Sequence, residues 1–419
     1  MGSARKEVKV DMGVTRSYVG LDIGTTKISV VIAEPDDLGN LKVVGVGMAP
    51  SHGLRRGVVV NLDETVTSIR RAVAEAERMA GVSVKVVWAG IAGEHIRSLN
   101  SRGVITVSRR DAEIGPADVD RVIEVARTMD IPEDREVFHV IPQEFTVDSQ
   151  GGIKDPVGMS GVRLEADVHV VTGGMTPARN LSRAIERAGL KLAALVLEPL
   201  ASAHAVLARE EKDLGVALLD LGGGTTDLAL FYEGSVRHTG VVGLGGVNIT
   251  NDLAVGLRTG VEQAEEIKIR HGCALAALVP VHEMIEVPGV AGRPTREISR
   301  HLMATMIEPR VQEILTMARR EMHRTHFGDR MTAGVVLTGG ASLMPGLVEL
   351  AEEVLDLPVR RGAPEPLIPG EAGDPRQATG LGLVRYAWLR DHDEYGMNGN
   401  GDGIFRGLAG VRRWFSEFF

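Results

Sequence analysis

Cysteine is nearly absent from this 419-residue chain, Cys273 being the single one. That excludes a disulfide framework and a cysteine-built zinc site, and it fits a reducing compartment. Positive charge is not in excess: 47 Lys and Arg against 56 Asp and Glu leave a net charge of −9. A general nucleic-acid binder usually shows the opposite balance, so nucleic acid is not an expected partner. No stretch approaches the roughly 20 apolar residues of a membrane-spanning helix. The first residues, MGSARKEVKVDMG, carry charges but no apolar core, so they do not read as a secretory signal. Lys6 stands where an N-myristoylation motif needs Ser or Thr. Residues 1–16 are expected to be a disordered leader. Aromatics are scarce at 4%, yet Phe405, Trp414, Phe415, Phe418 and Phe419 crowd the C-terminal end.

Glycine, by contrast, is abundant at 51 residues, and its placement is informative. An apolar run over 18–23 leads into Gly24-Thr25-Thr26-Lys27 and a second apolar run over 28–33, which predicts strand, tight turn, strand. A third strand is predicted over 41–48. The same element returns half a chain later: strand 216–221, turn Gly222-Gly223-Gly224-Thr225-Thr226-Asp227, then strands 228–232 and 236–242. Such a long internal repeat means duplicated domains rather than a solenoid, whose period is about 20–50 residues.

Gly-rich hairpins bring backbone N–H groups close to an anion with no Cβ in the way, and threonine hydroxyls add donors. Two hairpins that face each other can clamp a polyphosphate from both sides. Asp22 and Asp220 end the strands just before each turn. Carboxylates there are placed to hold a hydrated Mg²⁺, which keeps most of its waters and takes few protein ligands. Asp227 follows the second glycine run, and Lys27 is placed to reach a phosphate as a point charge. These turns lead back into strands, unlike the Walker loop and the GxGxxG fingerprint, which feed a helix N-terminus. A third glycine turn, Thr338-Gly339-Gly340-Ala341-Ser342, follows the strand 334–337 and suits close approach to a nucleoside. Glu265 and Lys268, three apart on a predicted helix, share a face; a solvated ion pair is the alternative.

Helices are predicted over 61–80, with Asn61 and Glu64 at its start and Gly81 as its stop. Others start at Thr176-Pro177 and end at Gly189, run over 116–129 and 198–210, and extend over 296–323 with a kink or break at Pro309. Residues 96–171 read as a small α/β insert, and its Gly-rich 148–161 stretch as a surface loop.

Together these residues resemble the actin and sugar-kinase ATPase superfamily, with the two hairpins as phosphate-1 and phosphate-2 motifs and Gly339-Gly340-Ala341 as the adenosine motif. The resemblance implies an α/β fold of duplicated actin-like (ribonuclease H-like) domains. It makes Glu198, in Glu198-Pro199-Leu200-Ala201-Ser202-Ala203, the acidic residue near an attacking water, and Glu265 with Lys268 an adenine-side pair. Asp22, Asp220 and Asp227 would place the metal ion. Within that superfamily the run Gly53-Leu-Arg-Arg-Gly-Val-Val-Val-Asn61, Thr67-Ser-Ile69, the insert, Ile307-Glu-Pro-Arg-Val311 and the C-terminal helix are similar to the FtsA family of bacterial cell-division proteins. That resemblance implies ATP and Mg²⁺ as cofactors and actin-like filaments. It also implies binding of the FtsZ C-terminal tail through subdomain 2B and of later division proteins through the insert, subdomain 1C, which takes the place of actin's 1B. The implied layout is 17–95 and 172–212 as 1A, 96–171 as 1C, 213–248 and 321–390 as 2A, 249–320 as 2B, and 391–403 as a flexible linker. DnaK-type chaperones carry a catalytic lysine in 1B; with no counterpart here, hydrolysis is expected to be slow.

Residues 404–419 predict an amphipathic helix. Ile404, Leu408, Val411, Phe415 and Phe418 form one stripe, widened by Phe405, Trp414 and Phe419. Arg406, Arg412 and Arg413 against Glu417 give this end a local positive charge. A helix of this kind lies in a membrane interface, each arginine contributing about 1 kcal/mol against an anionic leaflet. The expected location is the cytoplasmic face of the membrane, peripheral, at the division site. A pilus-assembly scaffold similar to PilM and a small-molecule kinase of the same fold remain as alternative readings.

Overall fold

The computed structural model describes residues 17–395 apart from 37–39, 108–112, 129–130, 291–292 and 368–371, with the side chains of 392–395 also left out. The linker beyond 395 and the whole 404–419 segment, including every residue expected to touch lipid, lie outside the described residues.

The chain begins with the strands β1 (Tyr18–Ile23), β2 (Lys27–Pro35) and β3 (Leu41–Pro50), the small hairpin β4 (Leu54–Arg55) and β5 (Val58–Val59), helix α1 (Leu62–Ala80) and β6 (Val86–Ile91). The insert follows as β7 (Arg97–Thr106), α2 (Pro116–Arg127), β8 (Arg135–Val147), β9 (Gln150–Ile153) and β10 (Arg163–Gly174). The first lobe resumes with α3 (Met175–Arg187), β11 (Lys191–Leu197), α4 (Glu198–Val206) and α5 (Arg209–Leu214). The second lobe contains β12 (Val216–Leu221), β13 (Thr226–Tyr232), β14 (Ser235–Val242), α6 (Gly246–Gly256), α7 (Val261–His271), β15 (Met284–Val287), β16 (Arg296–Ser299) and α8 (Arg300–Met322). It ends with β17 (Gly334–Thr338), α9 (Leu347–Leu355) and β18 (Val359–Arg361), after which comes α10 (Ala378–Tyr395).

The two main sheets repeat one topology. Their orders are β3-β2-β1-β6-β11 and β14-β13-β12-β17-β18. In each, three strands form an antiparallel meander and two more add in parallel. Strand β12 is buried on both faces. Its alternating side chains serve two cores: Val216 and Leu218 join the core that holds α1 and α10, while Ala217 and Leu219 join that of α6, α8 and α9. The insert has its own sheet, β7-β10-β8-β9, and its own core around Val122, Phe145 and Leu164. Its polar side chains also cover the edge strand β14: the Gln143 amide donates to the Val236 carbonyl at 2.7 Å and the Ser98 hydroxyl to the Thr239 carbonyl at 2.6 Å.

Local signals set both ends of α1. Asn61 caps α1 by accepting from the Glu64 N–H at 3.3 Å, and Gly81 closes it in the left-handed region at φ 71°. Four expectations need correction. The helix from Glu198 stops at Val206 and a separate α5 begins at Arg209, because Leu207 is extended. The long helix starts at Arg300, since Arg296–Ser299 pairs with β15 instead. It is not broken at Pro309, where Met303, Ala304 and Ile307 before the proline and Val311 and Ile314 after it are all buried; their packing offsets the missing hydrogen bond. The 148–161 loop includes a strand, β9, paired with β8.

The C-terminal helix departs furthest from expectation. Residues 321–390 were assigned to the second lobe, yet α10 packs on the first, with Leu381, Val384 and Ala387 in the core that holds β1, β2 and α1. It also runs to Tyr395, five residues into the stretch expected to be linker. Asp391 there is buried and accepts from the Tyr18 hydroxyl at 2.7 Å. Glycine makes the docking possible: a Cβ at Gly382 would lie 1.8 Å from the Ala201 carbonyl oxygen of α4. Gly382→Ala is therefore expected to destabilise the fold by about 1–3 kcal/mol. Circular dichroism melting checks this, and an unchanged Tm would refute the packing argument.

Candidate functional site

The two glycine turns touch across the interlobe cleft. In each, a glycine N–H donates to a carbonyl three residues on: Gly24 to Lys27 and Gly222 to Thr225, both at 3.0 Å. A Cβ at Gly223 would stand 2.5 Å from Thr26 Cγ2, and one at Gly224 2.5 Å from Thr25 Oγ1. Behind the second turn, the start of α6 holds it in place, with the Gly246 and Val247 N–H groups donating to the Gly222 and Gly223 carbonyls at 3.0 and 2.8 Å. Behind the first, the Gly57 N–H of the β4–β5 hairpin donates to Thr25 Oγ1 at 3.2 Å.

Between the lobes lies a cavity of about 800 Å³. It is lined by Asp22, Gly24, Thr25, Thr26, Lys27, Glu198, Asp220, Gly222, Gly223, Gly224, Thr225, Asp227, Glu265, Lys268, Gly339, Gly340 and Ala341. Residues far apart in the chain thus converge on one space. Thr226 is the exception among the candidates. It opens β13, where neighbouring side chains point to opposite sides, and its hydroxyl donates to the Leu244 carbonyl at 2.9 Å. It anchors a strand rather than facing the cleft.

The floor of the cavity is crowded with acid. Asp22, Asp220 and Asp227 are all buried, and the half-buried Glu198 joins them. Lys27 is paired with Asp22. Burial works against its ammonium, but Asp22, Asp220 and Glu198 outweigh burial and raise its pKa. Burial pushes Glu198 well above the usual carboxylate range, reinforced by Asp22, Asp227 and Asp220. Burial likewise raises Asp220, although Ser202 Oγ donates to it at 2.7 Å and Thr379 Oγ1 at 3.3 Å. Asp227 is pushed up to about 7 by burial and by Asp220. One of its oxygens accepts from Thr225 at 2.9 Å, while Oδ1 is buried with no hydrogen-bond partner. Four acids against one lysine, with an open carboxylate oxygen, form a site that fits a cation. Among the described residues no group of three or more His, Cys, Asp or Glu side chains is set to hold a metal by itself.

At the other end, Glu265 and Lys268 are not a solvated surface pair. Lys268 Nζ donates to Glu265 at 2.7 Å, to Thr250 Oγ1 at 2.9 Å and to the Gly246 carbonyl at 3.1 Å. This network ties α7 to α6 beside the cavity. Gly339 approaches the acids so closely that a Cβ there would lie 2.3 Å from Asp220 Oδ1.

Several contributors escaped the motif reading. Gly245 and Gly246 carried a signal, a glycine pair opening a helix straight after a strand. Ser202 sits one helical turn beyond Glu198, on the same face. Thr379 and Thr250 carried none, because only the folded chain brings them to the site.

Residues 217–382 match the family model "Cell division protein FtsA", and residues 93–172 match "SHS2 domain inserted in FTSA". Cell division protein FtsA of Pseudomonas aeruginosa is 48% identical over 388 residues, covering 92% of this chain and 93% of that protein. The chain belongs to the FtsA family of cell-division proteins. The Neisseria meningitidis relative of the same name is 44% identical, covering 95% of this chain and 98% of its own length. The Escherichia coli K12 relative is 38% identical, at 95% and 96% coverage. Among solved structures, a PilM-PilN type IV pilus biogenesis complex matches with TM-score 0.64 at 18% identity, covering 88% of this chain and 98% of that one. MreB5 of Spiroplasma citri bound to ADP matches with TM-score 0.55 at 14% identity, covering 92% and 99%. These two likenesses bear on the fold alone. They agree with the actin-like α/β architecture of the FtsA family, and the SHS2 match covers the insert.

The acid cluster yields a test of the electrostatics. The folded pKa of Asp227, about 7, exceeds the ordinary 3.8. Its contribution is therefore fully present below about pH 4 and lost as pH rises through 7. In metal-free, nucleotide-free protein, Asp227→Asn is expected to raise Tm by roughly 2 °C or more at pH 8 and to leave it unchanged near pH 4. Equal melting of parent and variant at pH 8 would show that the site tolerates the charge.

Proposed function

We propose that this FtsA-family chain binds ATP with Mg²⁺ in the interlobe cleft and assembles into actin-like filaments. In this reading the filaments tie FtsZ to the cytoplasmic membrane at the division site and recruit later division proteins. The observation that carries the nucleotide reading is the pair of facing glycine hairpins above a buried acid cluster. Family membership supports it, as do solved MreB5 structures with ADP and AMPPNP.

In this reading Gly24, Thr25, Thr26 and Gly222, Gly223, Gly224 with Thr225 surround the phosphates. Lys27 adds a positive charge, and Gly339, Gly340 and Ala341 with Glu265 and Lys268 take the nucleoside. Asp22 and Asp220 would hold a hydrated Mg²⁺, with the unpartnered oxygen of Asp227 as a further acceptor beside it. The ion supplies the positive charge that offsets both the phosphates and the buried acids. Glu198 orients the attacking water. Its raised pKa and the lack of an assigned catalytic lysine both favour slow turnover, so hydrolysis is secondary to scaffolding.

The partner assignments follow the family. Residues 249–320 take the FtsZ tail, the insert takes later division proteins, and residues 404–419 seek anionic lipid. Curated relatives at 38–48% identity are all named cell-division proteins, which favours this reading over a pilus scaffold or a small-molecule kinase.

Titration with a fluorescent ATP analogue and Mg²⁺ tests the cleft. Asp220→Ala and Lys268→Ala are each expected to weaken binding about tenfold or more, in keeping with loss of charged hydrogen-bonding partners; parent-like affinity in both would exclude this site. Co-sedimentation with phosphatidylglycerol-containing vesicles tests the tail. Deleting residues 404–419 is expected to abolish pelleting with ATP present, and undiminished pelleting would overturn the lipid assignment.

A further inference from the structure

An imidazole of the insert reaches the start of α4, beside the cleft. Strand β11 lies at the edge of the first sheet, with β6 as its partner. Its last residue, Leu197, is 1% exposed, so an unpaired N–H there would carry a desolvation cost. His139, on β8 of the insert, accepts that N–H through Nε2 at 3.0 Å. Leu197 is also the residue from which α4 starts, with extended backbone and no side-chain cap. Glu198 comes next.

Both ends of this contact are fixed. The His139 ring meets Tyr386 of α10 edge-on, with centroids 6.3 Å apart and planes at 86°, and Tyr386 in turn meets Trp88 of β6 at 5.8 Å. Burial, aided by Arg390, holds the His139 pKa down to about 3. The imidazole is therefore neutral at physiological pH, and Nε2 remains an acceptor. On the other side, Glu198 rests against β6: a Cβ at Gly90 would come 2.9 Å from Glu198 Cγ and 3.1 Å from Oε1. The Glu198 carboxylate thus sits between a strand with no side chain at that point and a helix start pinned by the insert.

We propose that His139 is a positioning residue for the cleft: its hydrogen bond to the Leu197 N–H sets the start of α4 and, through it, the place of Glu198. The proposal rests on Glu198 orienting the attacking water. It makes the SHS2 insert part of the hydrolytic site, although the insert contributes no residue to the phosphate-binding turns. A misplacement of about 1 Å in such a group costs up to a hundredfold in rate while ground-state binding persists.

The experiment compares full-length parent with His139→Phe, which keeps a ring but loses the acceptor, and His139→Gln, which offers an acceptor oxygen. His139→Met replaces the phenylalanine variant if that one does not fold. Three quantities are read: the Kd of a fluorescent ATP analogue, kcat for phosphate release, and deuterium exchange in peptides covering Leu197. In His139→Phe, Kd is expected within about twofold of the parent and kcat lowered roughly tenfold, with faster exchange at Leu197. His139→Gln is expected to recover part of kcat. Parent-like kcat in His139→Phe overturns the proposal, as does a glutamine variant equally impaired with Kd lost in parallel. Glu198→Gln is the control for the underlying reading. If it leaves kcat unchanged, the role of Glu198 fails, and exchange at Leu197 then decides alone: faster exchange in His139→Phe supports the pinning of α4, and parent-like exchange overturns it.

Discussion

The two glycine turns meet in this molecule because the second carries no side chain where the threonines of the first touch it. The distance from a Gly223 Cβ to Thr26 would be 2.5 Å, far inside contact, and Gly224 meets Thr25 in the same way. This steric constraint sets the separation of the two lobes at the cleft. It also fixes the acids, since Asp22 and Asp220 end the strands that lead into the turns. Hydrogen bonds from Gly57 on one side and Gly246 and Val247 on the other lock each turn to its own lobe. The cleft is thus built largely from backbone, with the Gly24 and Gly222 N–H groups already used to close the turns, and it needs little side-chain reorganisation.

The second consequence is electrostatic. Bringing the strand ends together gathers the buried Asp22, Asp220 and Asp227 beside the half-buried Glu198, with Lys27 as the cation among them. A fold selected for stability alone would not gather them so, because burial raises the pKa values of Glu198, Asp220 and Asp227 and opposes folding where these groups must ionise. Perturbed acids of this kind cluster at functional sites. The hydroxyls of Ser202, Thr379 and Thr225 stabilise two of the carboxylates, but Asp227 Oδ1 has no partner. In the proposed reading a divalent cation would match the acids and the phosphates of a nucleotide would match the turns.

What was legible in the sequence and what was not divide along the range of the interactions. The hairpins and the ends of α1 were readable because glycine, aspartate and asparagine act on their own neighbours within a few residues. The duplication was readable because it repeats such local signals. Thr226 was misplaced because the motif gives the residue type and not the face of the strand. The strand at 296–299 depends on β15, its partner across the sheet. The allegiance of α10 was the largest miss. Its sequence reads as a helix, but its position is set by Gly20 of β1 meeting the Gly380 carbonyl and by Gly382 meeting the Ala201 carbonyl of α4 at backbone distance, and the first of these contacts joins opposite ends of the chain.

The corrected place of α10 changes how cleft and C-terminus relate. Thr379, near its start, contacts Asp220 in the cleft. Tyr386, two turns on, packs against the imidazole of His139. Asp391, further still, is bound to Tyr18 at the beginning of β1. One helix therefore touches the acid cluster, the insert and the first strand in turn, and its last described residue is Tyr395. A tail beyond it is attached to the first lobe, the lobe that carries the insert, and not to the second. If that tail holds lipid, the membrane load enters the molecule through α10, whose close backbone contact with α4 leaves little room to slide. The lobe on the membrane side is then the one that also carries Glu198, so attachment and nucleotide chemistry share a single rigid support.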